Sequence, residues 1–222
     1  MTVEILKYLS ERYAQQAEEG PEFDNYIAKR GISLESAKAF KLGITNSENY
    51  IINHINTLEL EQRVEWVKSC VALGLINNHH GRLNDRFKYR IIFPIINREQ
   101  TIVGFSTRTY IDSNQPRWIN SRIIVRSEKN HNLIGEHLID SKLDTLLIVE
   151  GVIDTIKASV SKKFNCVGTI GGIPSEYCLK KACEGIKSVV ICMDNDEAGE
   201  MFDKRMRKVL STIGVGSKSF NL

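Results

Sequence analysis

The chain has 222 residues, 42% of them hydrophobic and 26% charged, with a net charge of +3. That composition is ordinary for a globular protein of one to two packed domains and excludes collagen-like, disordered and disulfide-stapled classes. No apolar run approaches the roughly 18–20 residues of a membrane span, and the opening MTVEILKYLSERYAQQ lacks the basic-then-apolar layout of a signal peptide, so a cytoplasmic protein is expected.

In chain order, residues 4–19 and 22–30 carry helical periodicity and are separated by Gly20-Pro21. Ser33 opens a short helix, LESAKAFKL, which Gly43 closes. A further amphipathic helix covers 57–73, with Gly74 as its C-cap, and the pair His79-His80 in NNHHG reads as a solvated turn. The pattern then changes: KYRIIFPIIN, TIVGFSTRTYI and PRWINSRIIV are rich in β-branched and aromatic residues and divided by NREQ and DSNQP. They predict a small, largely antiparallel sheet. From Lys142 the chain alternates strands (146–150, 164–172, 188–194, 217–222) with helices (151–163, 174–185, 195–214). Such alternation predicts βαβ units around a parallel four-stranded sheet. The expected class is α/β, with a mixed α+β part at 1–141 and a parallel-sheet domain at 142–222.

The five cysteines form no C-x-x-C pair and the five histidines show no metal spacing, so no zinc site is expected. Charge is unevenly spread. Between Gly81 and Asn130 stand ten basic residues, Arg82, Arg86, Lys88, Arg90, Arg98, Arg108, Arg117, Arg122, Arg126 and Lys129, against four acids. This stripe is interleaved with aromatics, among them Tyr89 and Trp118, a combination suited to a phosphate-backbone ligand and stacked bases.

In an open parallel sheet, ligands bind beyond the carboxyl ends of the strands. Glu150 ends one such strand and precedes Gly151, Asp154 follows in the first turn of the next helix, and Asp194 and Asp196 end another strand as Asp-Asn-Asp. Any one of these acids is explained by the attraction of helix amino termini for carboxylates. Four at two strand ends of one sheet repel one another unless a cation or a proton joins them, and all-oxygen donors suit a hard divalent ion.

IVEGVID, followed about forty residues later by ICMDNDEAG, resembles the Toprim signature shared by bacterial-type primases, topoisomerases and small nucleases. YIAKRGISLESAKAFKLGI, LNDRFKYRIIFPI, TIVGFSTRT, PRWINS and EKNHNLIG resemble, in this order, the RNA-polymerase core of DnaG-type primases, from about residue 23 onward. The resemblance implies a Toprim domain at 142–222 and a primase-core subdomain at 1–141. It implies catalytic and metal-binding roles for Glu150, Asp194 and Asp196, with Asp154 as a further ligand of Mg²⁺ or Mn²⁺. It also implies nucleotide or template contacts for Arg30, Arg86, Arg108, Arg117 and Lys129, with Asn120 and Ser121 in the same block as Arg117. The implied activity is metal-dependent synthesis of short RNA primers from ribonucleoside triphosphates on single-stranded DNA.

Three departures from the family pattern shape these expectations. No Cys/His zinc module precedes residue 23, the chain ends at SKSFNL where primases go on to a further acidic D-x-D, and the helical domain that docks on a replicative helicase is absent. Two other readings follow: a Toprim nuclease, and a non-catalytic module that binds single-stranded DNA.

Overall fold

The computed structural model describes residues 1–123 and 133–220. Contacts divide the chain into two compact units. One comprises Met1–Lys29, Lys41–Pro94 and Ile102–Ile124; the other comprises Arg30–Phe40, Ile95–Thr101 and Val125–Leu222.

In the first unit, α1 (Thr2–Gln16) buries Ile5, Leu6, Leu9 and Tyr13, the stripe expected from its periodicity. Pro21 then opens α2 (Pro21–Lys29), where its missing N–H has no intrahelical partner to lose. Gly43 does not close a helix. It begins β1 (Gly43–Thr45), paired antiparallel with β4 (Arg90–Ile96), and lies so close to α1 that a Cβ there would meet the Tyr13 carbonyl carbon at 2.5 Å. The helix expected over 57–73 is α5 (Leu60–Ala72); a further helix that the periodicity does not predict, α4 (Tyr50–Thr57), precedes it, and the two are separated at Leu58, whose ψ of 155° is extended. NNHHG is the tip of a hairpin, β2 (Ile76–His79) and β3 (Arg82–Asp85). Its turn residues His80 and Gly81 have φ of 52° and 85°, the positive values that two-residue hairpin turns require. His79 is therefore the last residue of a strand.

The antiparallel sheet has the order β1-β4-β5-β6, with β5 at Ile102–Thr109 and β6 at Trp118–Asn120. All seven residues of RIIFPII in β4 are buried. β6 is shorter than PRWINSRIIV predicts. At Ser121 the side-chain Oγ, rather than a ladder carbonyl, accepts the Phe105 N–H at 2.8 Å.

The second unit contains α3 (Leu34–Ala39), whose Ser33 cap accepts the Ser36 N–H at 3.0 Å as expected. Its sheet is built from β7 (Leu133–Ile134), β8 (Thr145–Val149), β9 (Asn165–Thr169), β10 (Ser188–Cys192) and β11 (Ser217–Ser219). The order is β11-β10-β8-β9-β7; the first four are parallel, and β7 adds an antiparallel edge strand. Leu146 and Ile148 of β8, Val167 of β9, and Val189 and Ile191 of β10 pack with α7 (Glu176–Ala182) and α8 (Glu197–Thr212) through Cys178, Leu179, Met206 and Leu210. Residues of the opposite pleat meet α6 (Val152–Ala158), which approaches β9 so closely that a Cβ on Gly168 would overlap Thr155 Oγ1. The βαβ units and four parallel strands predicted from Lys142 onward are present, and helices cover both faces of the sheet, a doubly wound arrangement. Among the described residues no helix is long and apolar enough to cross a membrane.

Candidate active site

β8 leads through α6 to β9 on one side, whereas β10 pairs with β8 on the other and leads outward to β11. The β8–β10 junction is therefore the topological switch point of the sheet, where parallel sheets open a crevice beyond their carboxyl ends. Val149 pairs with Cys192 at the last rung. Glu150 stands one residue past β8 and Asp194 two past β10, on adjacent strands at that crevice. The half-buried Glu150 carboxylate reaches across the junction and accepts the Asp194 backbone N–H at 3.4 Å. The Glu150 carbonyl accepts from Thr169 Oγ1 at the end of β9, at 3.2 Å.

Asp154 is exposed in the first turn of α6, and its carboxylate lies over Gly151 where any Cβ would stand. A side chain at position 151 would displace the Asp154 carboxylate from this placement. Asp194 is exposed, and the chain after it folds back so tightly that a Cβ on Gly199 would overlap the Asp194 carbonyl oxygen. Asp196 does the work of a helix cap: its Oδ1 accepts the Gly199 N–H at 2.7 Å at the start of α8. The structure therefore brings Glu150 and Asp194 together, keeps Asp154 on the next helix, and engages one oxygen of Asp196 in capping.

The nucleic-acid candidates Arg86, Arg108, Arg117 and Asn120 all lie in the first unit. Arg108, near the end of β5, sets its guanidinium 5.3 Å from the ring centroid of Trp118 in β6, its partner in the strand register. Arg117 is exposed immediately before that tryptophan. Asn120 is exposed and accepts the Ser106 hydroxyl at 2.8 Å. Ser121 is buried and serves the β5–β6 ladder. Arg30 is half-buried in the second unit, and Lys129 lies outside the described residues.

By sequence Arg90 is only one charge of the basic stripe. It is fully buried, and its guanidinium donates to the carbonyls of Pro116 at 2.7 Å and Arg117 at 3.3 Å and to Gln115 Oε1 at 3.4 Å. It anchors the segment that presents Arg117 and Trp118. An arginine inside an otherwise apolar run, KYRIIFPII, was the available signal, since a buried guanidinium must find acceptors.

Residues 7–140 match the family model described as DNA primase catalytic core, N-terminal domain, which is more than half of the chain. The chain belongs to the DNA primase catalytic-core family. Residues 147–222 match a Toprim-like model. Curated relatives in the primase family include the DNA primase of Legionella pneumophila, 31% identical over 185 residues that make up 79% of this chain and 30% of that protein. The DNA primase of Helicobacter pylori strain 26695 is 32% identical over 199 residues, 88% of this chain and 34% of that protein. The chain thus spans about a third of the length of these primases. The Escherichia coli primase catalytic core superposes over the whole chain and 72% of its own length, with a TM-score of 0.87 at 22% identity. A DnaG primase catalytic domain bound to ssDNA does so over 73% of its length, at 0.86 and 21%. At these identities the likeness bears on the primase fold.

The donor set of this primase-family site consists of carboxylates, the chemistry that hard divalent ions prefer. Among the described residues no three His, Cys, Asp or Glu side chains group as a cage. Mg²⁺ characteristically takes one or two carboxylates and completes its shell with water and substrate phosphate, so the Glu150–Asp194 pair fits such an ion in kind.

Proposed function

We propose that the chain carries the catalytic core of a primase: template-directed synthesis of short RNA primers from ribonucleoside triphosphates on single-stranded DNA, in the cytoplasm. The observation that carries this reading is the placement of Glu150 and Asp194 on adjacent parallel strands at the switch point of the Toprim-like sheet. Family membership and the solved relative bound to ssDNA support the nucleic-acid substrate. The matched ranges, 7–140 and 147–222, support a functional division into a primase-core part at 1–141 and a Toprim part at 142–222.

In this reading Glu150 and Asp194 hold Mg²⁺ or Mn²⁺, with Asp154 and the free oxygen of Asp196 as further ligands. Bound there, such an ion would supply charge to lower the pKa of a primer 3′-hydroxyl and to neutralise the departing pyrophosphate. The chain's own residues do the positioning. Arg108, stacked on Trp118, and Arg117 beside it offer guanidiniums to phosphate groups from one strand edge. Arg86 adds a third, and Arg30, Lys129 and Asn120 extend the contacts to template or nucleotide. Trp118 is held between neighbours in the sheet, with the Arg108 guanidinium 5.3 Å and the Phe93 ring centroid 5.4 Å from its ring centroid.

Primer synthesis on single-stranded DNA with labelled ribonucleotides, in Mg²⁺ and separately in Mn²⁺, tests the reading beside a Glu150→Gln control. Products that disappear in the control are expected. Degradation of labelled DNA without nucleotides would replace the polymerase with a nuclease, and DNA binding without product under either metal would leave a binding module.

A further inference from the structure

Arg122 follows β6 and stands outside the residues that the family resemblance implicates, yet it converges with Arg86 on one point of the first unit. Arg86 follows β3, and its Nη1 donates to the Gly74 carbonyl at 2.5 Å. The Arg122 backbone N–H donates to the Leu73 carbonyl at 2.7 Å and its Nη1 to the Ala72 carbonyl at 3.4 Å. Both arginines are thereby moored on the carboxyl end of α5, whose unpaired carbonyls attract cations. Gly74 makes room for them. Its φ is +64°, and a Cβ there would meet Arg86 Nη1 at 2.7 Å and Arg122 Cγ at 3.7 Å.

Each guanidinium gives one arm to a carbonyl. Among the described residues no acidic side chain forms an ion pair with either. Burial, and then the charge of Arg122, push the Arg86 pKa below its ordinary value; burial, and then the charge of Arg86, do the same to Arg90. Arg86 therefore stands within electrostatic reach of Arg122 and of Arg90, and the acceptors of all three among the described residues are backbone carbonyls and the Gln115 amide. Arg122 is exposed and Arg86 half-buried, so the pair is open to a ligand. An oxyanion relieves such crowding and matches the remaining N–H donors, because guanidinium forks bind phosphate oxygens in pairs.

We propose that Arg86 and Arg122, moored on the carboxyl end of α5 over Gly74, form a two-guanidinium clamp for a phosphate group. The chemistry is shared by the backbone of single-stranded nucleic acid and by a nucleoside triphosphate. The choice of these ligands rests on the nucleic-acid reading given above; the clamp itself rests on the geometry.

Two probes separate the sources: anisotropy of a labelled oligothymidylate across a NaCl series, and calorimetric titration with ATP, each on the full chain. Arg122→Ala is expected to weaken binding by about ten-fold or more, the loss of one charge-assisted contact. With DNA the weakening should be the same for oligonucleotides of different sequence, and the slope of log K against log[NaCl] should become shallower by about 0.7. Arg122→Lys should recover the slope but not the full affinity, because an ammonium supplies charge without the fork. Weakening in the DNA arm alone assigns the clamp to backbone phosphate, and weakening in the ATP arm alone assigns it to a triphosphate. Arg122→Ala protein that binds both probes like the wild type overturns the clamp, as does a lowered melting temperature with unchanged affinity, which would leave a helix cap only. Wild-type protein that binds neither probe at low salt overturns the nucleic-acid reading together with the clamp.

Discussion

Carboxylates at the ends of β8 and β10 have two kinds of work open to them, and single substitutions separate the two. Glu150 touches a backbone N–H only at 3.4 Å, so Glu150→Gln should leave the melting temperature within a degree or two while primer synthesis falls by more than about a hundred-fold, the scale of a lost electrostatic contact to reacting phosphate. Asp194→Asn should behave alike. Asp196 differs because it caps α8. Asp196→Ala should lower stability by about 1 kcal/mol in urea unfolding, whereas Asp196→Asn, which keeps a capping oxygen, should not. Loss of activity in Asp196→Asn at unchanged stability would assign its second oxygen to the metal; retained activity would leave it a cap. Sequence spacing placed all four acids at strand ends but could not divide capping from ligation, since both attract a carboxylate to the same positions.

Helix α4 shows how an element can be stabilised from far along the chain. Its own cap residue Asn49 makes no side-chain cap, and the N–H groups of Ile51 and Ile52 donate instead to the Asp85 carboxylate of β3, at 2.7 and 3.2 Å. Asp85 is 3% exposed, and burial pushes its pKa up to about 6 against the pull of those two hydrogen bonds. The folded state therefore binds more protons than the unfolded state between about pH 4 and 6. The Asp85 contribution is present in full below pH 4 and is lost as pH rises through 6. Urea unfolding from pH 4 to 7 should show stability falling across this window in the wild type relative to Asp85→Asn, which does not titrate; parallel curves would remove the linkage. Nothing within the α4 segment announces a cap 34 residues away, which is why the sequence predicts the helix that becomes α5 but not α4 before it. β1 and the β2–β3 hairpin escaped for a related reason. Three-residue strands and the polar INNHHGRLND carry too little alternation to stand out, and their pairing partners supply the order.

At the scale of the whole molecule, a net charge of +3 conceals an excess of six basic residues between Gly81 and Asn130. If four to six of these contact phosphates, affinity for single-stranded DNA should fall with a log–log salt slope of about −3 to −4, measured by anisotropy. A slope near zero would return the stripe to the role of a solvated face. The same separation between pattern and placement runs through the fold. The sequence alone determined the α/β class, the four parallel strands and their helices, the acids at strand ends and the family, because each rests on local periodicity or on short ordered motifs. Only the tertiary structure decided that β8 and β10 are neighbours at the switch point, that β7 closes the sheet with an antiparallel edge, and that Arg90 is buried beneath the segment carrying Arg117. It also decided that Arg86 and Arg122 meet over Gly74. Strand order, burial and the convergence of side chains distant in sequence are set by how elements pack, and no local pattern along the chain encodes which partners they find.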